Sequence, residues 1–342
     1  MGLQEPGVGI GLTPGRVRAR RAAAAILPAA LATAMLPTAV FLASTGTAQA
    51  PRSADPDLEL VGQVGGIAQA VAAEGQRAFV GVGQRVMIVD AGNPAVLAVA
   101  GTTPILPGIV SDISAVGDVV YVAYRQTADS GGGLAVIDVS DPRDVRLLGI
   151  HDASETVDGV AVSGGLAYLA MPVLGLRVLD VAEPSAMREL ATVNLPGHAG
   201  GVAVSGSHAF VAAYAAGLRV LDVRDPAAPR EVGSLDTPGY ASAVAVAGSH
   251  AYVADYQSGL RVLDVSDPER PRELGAAPAV GLRDVAVVGD RAYAADWHRG
   301  LRVFDVGRSG AVTEVIGLEI PESVLAVAVA GDRVFLAGLA QQ

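Results

Sequence analysis

The 342-residue sequence has no cysteine, no lysine, 4% aromatic residues with a single tryptophan, and only 17% charged residues. Each scarcity excludes something. Without cysteine no disulfide framework can hold the chain, so stability must come from a large buried core. Hydrophobic residues make up 51% of the sequence, which argues for a folded chain and against disorder. The 24 basic residues are all arginine and face 35 acidic ones, and a net charge of −11 argues against a nucleic-acid backbone as partner. So few rings also make poor base-stacking platforms. Catalytic signatures are lacking too: there is no G-x-S-x-G elbow, no H-E-x-x-H and no Walker loop.

What is present begins with an address. Arg16, Arg18, Arg20 and Arg21 precede an apolar run from Ala22 to Ala43, and Ala48-Gln49-Ala50 follows as a small-residue cleavage pattern. That order predicts a bacterial-type signal peptide over residues 1–50 and a secreted or cell-surface protein beginning near Pro51. An uncleaved anchor is the alternative for so long a run, with Pro28 and Pro37 weighing against a permanent helix. Cleavage takes four Arg and Glu5 away and moves the net charge from −11 to −14. No later apolar run is long enough to span a membrane as a helix.

Residues 51–342 read as one domain built from a repeat. Val86-Met-Ile-Val-Asp90, Leu134-Ala-Val-Ile-Asp138, Leu176-Arg-Val-Leu-Asp180, Leu218-Arg-Val-Leu-Asp222, Leu260-Arg-Val-Leu-Asp264 and Leu301-Arg-Val-Phe-Asp305 place their Asp residues 48, 42, 42, 42 and 41 apart. This is the spacing of propeller blades. The unit Tyr240 to Gly281 divides into four short strands, Ala243 to Ala247, Ala251 to Ala254, Leu260 to Val265 and Arg272 to Leu274, separated by Gly and Asp-Pro turns. The strands are apolar on both faces, as sheets stacked between sheets require. They are too short and too two-sided for an outer-membrane barrel, and the period is too long for a leucine-rich solenoid. An all-β propeller is therefore expected.

Leu325 to Ala330 and Arg333 to Ala337 match the first two strands of a further unit, and Ser53 to Gly62 matches its turn and fourth strand. The expected ring has seven blades, the termini meeting in one, with six blades as the alternative. Its missing third strand is expected from Gly338 to Gln342 or from the stretch around Ala50. The Leu-Arg-Val-Leu-Asp-Val core followed by Asp-Pro, with Ala-Tyr-Val-Ala-Asp-Tyr upstream, resembles the LVIVD-repeat family of extracytoplasmic β-propellers. The resemblance implies the fold and brings no catalytic residues with it.

In a repeat, residues that recur serve the blade and departures mark a site. The six repeated Asp residues are expected to accept N–H groups of the following turn. His208 and His250 lie one repeat apart, too far to share a metal ion, and read as turn residues. The departures gather in two loop types on one face of the channel. One holds Asp255-Tyr256 and Asp296-Trp297-His298, the other His151-Asp152, Glu155, Asp158, His198 and Tyr240. Asp112 and Asp284 are equivalent in two blades, just before the inner strand, and blade two carries an insertion, Arg125 to Gly133. Asp112, Asp255, Asp284 and Asp296 are the candidate calcium ligands, since Ca²⁺ takes 6 to 8 oxygens. For Asp255 and Asp296 the competing reading is a loop cap, four residues before Gly259 and Gly300. Tyr240, Tyr256, Trp297, His198 and His298 are the candidate ligand face.

These features favour an exported, monomeric, non-enzymatic propeller serving as a protein- or glycan-binding surface scaffold. The alternative is a metal-dependent, lactonase-like hydrolase with a cation in its channel, which needs Asp112, Asp255, Asp284, Asp296 and His198 to converge.

Overall fold

Five of the six repeats close their third strand with an Asx turn; in the sixth the Gly307 N–H goes to the Ala311 carbonyl and not to Asp305. In the computed structural model Asp90, Asp138, Asp180, Asp222 and Asp264 each accept the N–H of the second residue after them at 2.8 to 3.2 Å. The carboxylate replaces the ladder partner that the chain loses on leaving the sheet. Residues 38–42, 52–53, 60–63, 68–93, 97–126, 131–307 and 310–339 are described. The rest of the expected signal segment and Thr127 to Ser130 of the blade-two insertion lie outside them.

The unit that is clearest in sequence folds as four antiparallel strands in chain order, Ala241–Ala247, His250–Asp255, Gly259–Asp264 and Arg272–Ala277. Six blades of this kind follow one another. Their inner strands are Ala68–Glu74, Ile109–Val116, Gly159–Ser163, Gly201–Ser205, Ala241–Ala247 and Leu282–Val288. Second and third strands are almost wholly buried because sheets cover both their faces, whereas fourth strands are largely exposed. Val110, Ile113, Val120 and Val122 of the second blade, for instance, pack on Phe79, Val86 and Ile88 of the first. At about 25 cal/mol for each Å² of apolar surface buried, such interfaces stand in for the missing disulfides. The fold is a β-propeller.

A further sheet joins distant parts of the chain. Ser323–Ala330, Arg333–Leu339, Thr38–Leu42 and Leu60–Gln63 lie side by side in that order. Phe335 and Ala337 pack against Ala68, Val71 and Ala78 of the first blade, while Val324, Val334 and Leu336 pack against Tyr293, Leu301 and Leu318 of the sixth. Here the structure corrects the sequence reading. The third position is filled by neither Gly338 to Gln342 nor the stretch around Ala50. Thr38–Leu42 takes it, from inside the expected export signal, pairing in parallel with Arg333–Leu339 and with Leu60–Gln63. Gly338 is used up in the second strand, and Arg52–Ser53 adds a fifth strand to the sixth blade against Glu319 and Leu318. Pairing with Thr38–Leu42 covers an edge of Arg333–Leu339 that would otherwise be bare. Among the described residues no helix is long and apolar enough to cross a membrane.

The turns with Asp-Pro, or Glu183-Pro184 in the third blade, couple neighbouring blades. The Pro142 carbonyl lies against Gly101 in the outer strand of the preceding blade, Pro184 against Gly149, and Pro268 against Gly233, each where a Cβ would stand. Glycine recurs at this position because a backbone carbonyl occupies the side-chain space. Gly149→Ala should therefore overpack the joint and cost about 1–3 kcal/mol in denaturant unfolding. Unfolding indistinguishable from wild type would show that the turn moves aside freely.

Candidate ligand site at the channel mouth

Every inner strand carries one residue that its neighbour does not match. In the first blade Ala68 pairs with Val82 and Ala70 with Gly81, leaving Gln69 as the extra residue of a bulge. Ser111, Ser242, Arg283 and Leu325 are extra in the same way. Asp158 and Gly200 hold the equivalent place in the third and fourth blades, their N–H groups meeting Ala170 and Ala212, which already pair with the next residue. A bulge turns its side chain out of the regular alternation, and all seven of these positions line the mouth of the central channel.

A second ring stands above the first, at the end of each second strand. The register that follows Asp255 with Tyr256 and Asp296 with Trp297 puts Arg125, Tyr214 and Leu339 at the corresponding points. The two rings enclose a cavity of about 330 Å³ lined by Gln69, Arg125, Asp158, Tyr214, Arg283 and Trp297, among others. Below it the channel is walled mainly by Val and Ala, with Asp112 and Asp284 at the boundary, and holds about 420 Å³ more.

The polar contacts of the mouth are unequal. Ser111 donates to the Val157 carbonyl at 2.5 Å, and Ser242 to the Leu282 carbonyl at 3.0 Å, so both stitch their blade to the next. Asp158 lies 3.2 Å from His198 Nε2 and 3.8 Å from Arg125. The His198 ring centroid is 4.6 Å from that of Tyr214, and the Tyr240 ring lies 6.4 Å beyond. Burial pushes the Tyr214 hydroxyl upward in pKa, Asp158 adding to this and Arg283 and Arg125 opposing it, so these four groups sense one another. The Arg283 guanidinium sits between two rings, 4.7 Å from the centroid of Tyr256 and 4.8 Å from that of Trp297. Two cation–π contacts favour this position.

Tyr214 is the one non-glycine among the described residues in the left-handed region, with φ 46°. Ala213 stands there where the next two blades have Asp255 and Asp296, so the loop lacks its carboxylate cap. It turns tightly instead, tied by reciprocal Tyr214–Ala241 hydrogen bonds at 2.9 and 3.1 Å. Non-glycine residues hold this conformation at a cost of about 1 kcal/mol or more. The structure pays it at the mouth.

The four expected calcium ligands do not come together. Asp255 accepts N–H groups of Gly239, Gln257 and Ser258, at 2.9 to 3.1 Å, and is fully buried. Burial opposes its ionisation, yet hydrogen bonds from groups including Ser258 and Gly239 hold its pKa below the usual carboxylate value. Asp296 accepts from His298 and Arg299 and lies 3.6 Å from Arg302. Both are loop caps. Asp112 and Asp284 lie within their inner strands rather than before them. Each accepts its following N–H and one from the next sheet: Ile113 and Val160 for Asp112, Val285 and Val327 for Asp284, at 2.8 to 2.9 Å. Among the described residues no three or more His, Asp or Glu side chains are grouped to hold a metal. Nor do His198 and these carboxylates converge as the hydrolase reading requires.

Of the expected ligand face, Trp297 lines the mouth and Tyr256 supports it through Arg283. His198 and Tyr240 extend it outward. His298 lies at the Asp296 turn, beside Gly281 and away from the cavity lining. Glu155 is spent on the N–H groups of Val173 and Leu174. Sequence reasoning missed Gln69, Arg125, Tyr214 and Arg283. Aligning the repeats by strand register exposes all four, as the columns in which the blades differ most in chemistry.

Burial lifts the Asp112 carboxyl to about 7, against the Val160 and Ile113 N–H groups and aided by the charges of Asp284 and Asp158. The folded protein thus holds this proton more tightly than the unfolded chain does. The stability it contributes is complete below about pH 4 and is lost as pH rises through 7. The melting temperature of Asp112→Asn minus that of wild type should therefore increase by a few degrees between pH 4 and pH 8. A constant difference would place the Asp112 pKa at its ordinary value.

Repeated four-stranded sheets around a channel define a β-propeller, and the candidate site lies where its blades depart from one another. The LVIVD repeat matches residues 65–103, 107–152, 156–194, 196–237, 238–277 and 282–313, and the chain belongs to the LVIVD-repeat family. Similar solved structures include the Cps50 (Swd1) β-propeller domain of Myceliophteria thermophila, with TM-score 0.62 and 16% identity over 77% of this chain and 89% of that one. The WD40 repeats of RRP9 match with TM-score 0.61 and 12% identity over 83% and 89%, and the computationally designed Ika8 protein with 0.58 and 11% over 78% and 79%. At these identities the likeness is one of fold. No curated protein matches the sequence.

Proposed function

We propose that this is an exported, monomeric, non-enzymatic propeller of seven blades that binds a saccharide at its channel mouth. The observation that carries the reading is the gathering of Tyr214, Trp297, Arg125 and Arg283 around one cavity of about 330 Å³, a size in the range of small-ligand sites. No recurring blade contact requires these side chains there. Rings beside fixed polar groups suit a sugar, which offers C–H faces and hydroxyls together. Binding fits better than bond cleavage because Asp112 and Asp284 are engaged by backbone N–H groups and Asp158 by His198 and Arg125. The count of seven is supported by the sheet that packs between the sixth and first blades.

Trp297 is the only tryptophan of the chain, so its fluorescence reports on the mouth alone. Titration with a panel of neutral and acidic oligosaccharides should give a saturable change, lost in Tyr214→Ala. A panel without response would overturn the saccharide reading and leave a protein as the partner.

Export is supported by the charged, apolar and small-residue order of residues 16–50. N-terminal sequencing of protein recovered outside the cytoplasm should begin near Pro51, in which case the exported propeller lacks the Thr38–Leu42 strand and Arg333–Leu339 keeps a bare edge. Retention of residues 1–50 would instead indicate an anchor.

A further inference from the structure

Among the seven bulge side chains, five are accounted for within the protein. Ser111 and Ser242 bond the next blade, Asp158 pairs with His198 and Arg125, and Gly200 and Leu325 have no polar side-chain atom. The remaining two are Gln69 and Arg283. They belong to the blades on either side of Leu325, and all three line the same cavity together with Leu339. Arg283 lies over the rings of Tyr256 and Trp297 and has no carboxylate or carbonyl acceptor among the described residues. Its Nε and Gln69 Oε1 are both buried without a hydrogen-bond partner. A guanidinium held rigidly at a cavity wall without its counter-ion is an arrangement that a ligand anion would complete.

The features around it narrow the chemistry. One guanidinium without an acceptor, with the Asp158 carboxylate lining the same cavity, suits a single planar negative charge better than a doubly charged phosphate, which that carboxylate would repel. Leu325 and Leu339 between Arg283 and Gln69 call for an apolar patch beside the charged end. The Gln69 amide calls for a hydroxyl at the far side.

We infer that the mouth binds a carboxylate-bearing saccharide, with the uronate carboxylate on Arg283, the sugar's C–H face over Leu325 and a hydroxyl at Gln69. This rests on the saccharide reading above and specifies its ligand. An acidic peptide shares the carboxylate but not the rigid ring that spans the two polar groups over an apolar floor.

The test uses the intact protein, Trp297 fluorescence and isothermal calorimetry. Mono- and disaccharides of glucuronic, galacturonic and mannuronic acid are titrated beside their methyl esters, which keep the shape and lose the charge. At least one uronate should bind about tenfold or more tightly than its ester, the worth of a charge-assisted hydrogen bond. Arg283→Gln should remove that preference, and Arg283→Lys, which keeps the charge, should restore part of it. Matching circular dichroism and melting curves confirm that the variants fold. Equal binding of acid and ester, or a preference unchanged in Arg283→Gln, would overturn the inference while leaving the saccharide reading standing. Binding of a glutamate-rich peptide without any uronate would overturn the inference, and would overturn both readings where the neutral oligosaccharides are silent too, as would silence from every probe. Sulfate or phosphate displacing a uronate without matching its affinity supports the assignment, and either ion binding more tightly than every uronate overturns it.

Discussion

One backbone constraint organises the site: the bulge that gives each inner strand a residue its partner cannot match. Regular alternation would send successive side chains to the two stacked faces of a blade, both of which are already filled by neighbouring sheets. The extra residue belongs to neither face and meets the channel. Gln69, Ser111, Asp158, Gly200, Ser242, Arg283 and Leu325 are thereby free of the packing rules that make the rest of the blade repetitive. Chemistry concentrates there because substitution at the bulge costs the core little.

The same separation explains why the recurring acidic residues are silent. Asp90 and its equivalents hold turns, and the arginines of the third strand pair with glutamates of the fourth, Arg177 with Glu189, Arg219 with Glu231 and Arg261 with Glu273, at 3.3, 3.4 and 3.2 Å. These are local supports worth a fraction of a kcal/mol to about 1 kcal/mol each. Arg283 differs in having rings on both sides and no acid to hold.

The fold was legible because repetition reads one pattern six times. Ala243 to Ala247 and Leu260 to Val265 were placed within two residues of their observed bounds. The third strand of the remaining sheet was not legible, since Thr38–Leu42 breaks the pattern in direction and in position along the chain. The site was half legible. Tyr256 and Trp297 stand out as rings in loops. Asp255 and Asp296 admit two readings in sequence because a carboxylate that caps a loop and one that binds an ion have the same signature, and their hydrogen bonds are those of caps. Arg283 and Gln69 stayed hidden because they lie inside strands, where composition alone does not distinguish a bulge from its neighbours.

The sheet that holds Thr38–Leu42 beside Arg333–Leu339 has a consequence in time. Its paired residues, Thr38 and Arg333, are 295 positions apart. Six blades can stack in the order of synthesis, each on the one before, but this sheet has no early version. Until the last hairpin arrives the molecule is an open arc, with Ala68, Val71 and Val80 of the first blade uncovered on one side. Closing so long a loop is slow relative to the local hairpins. An arc still without its last hairpin would present two apolar end faces that fit each other, and equally fit the ends of another arc. At high concentration the fold's own repetition then becomes a route to joining chains end to end, and the last hairpin is the device that ends it.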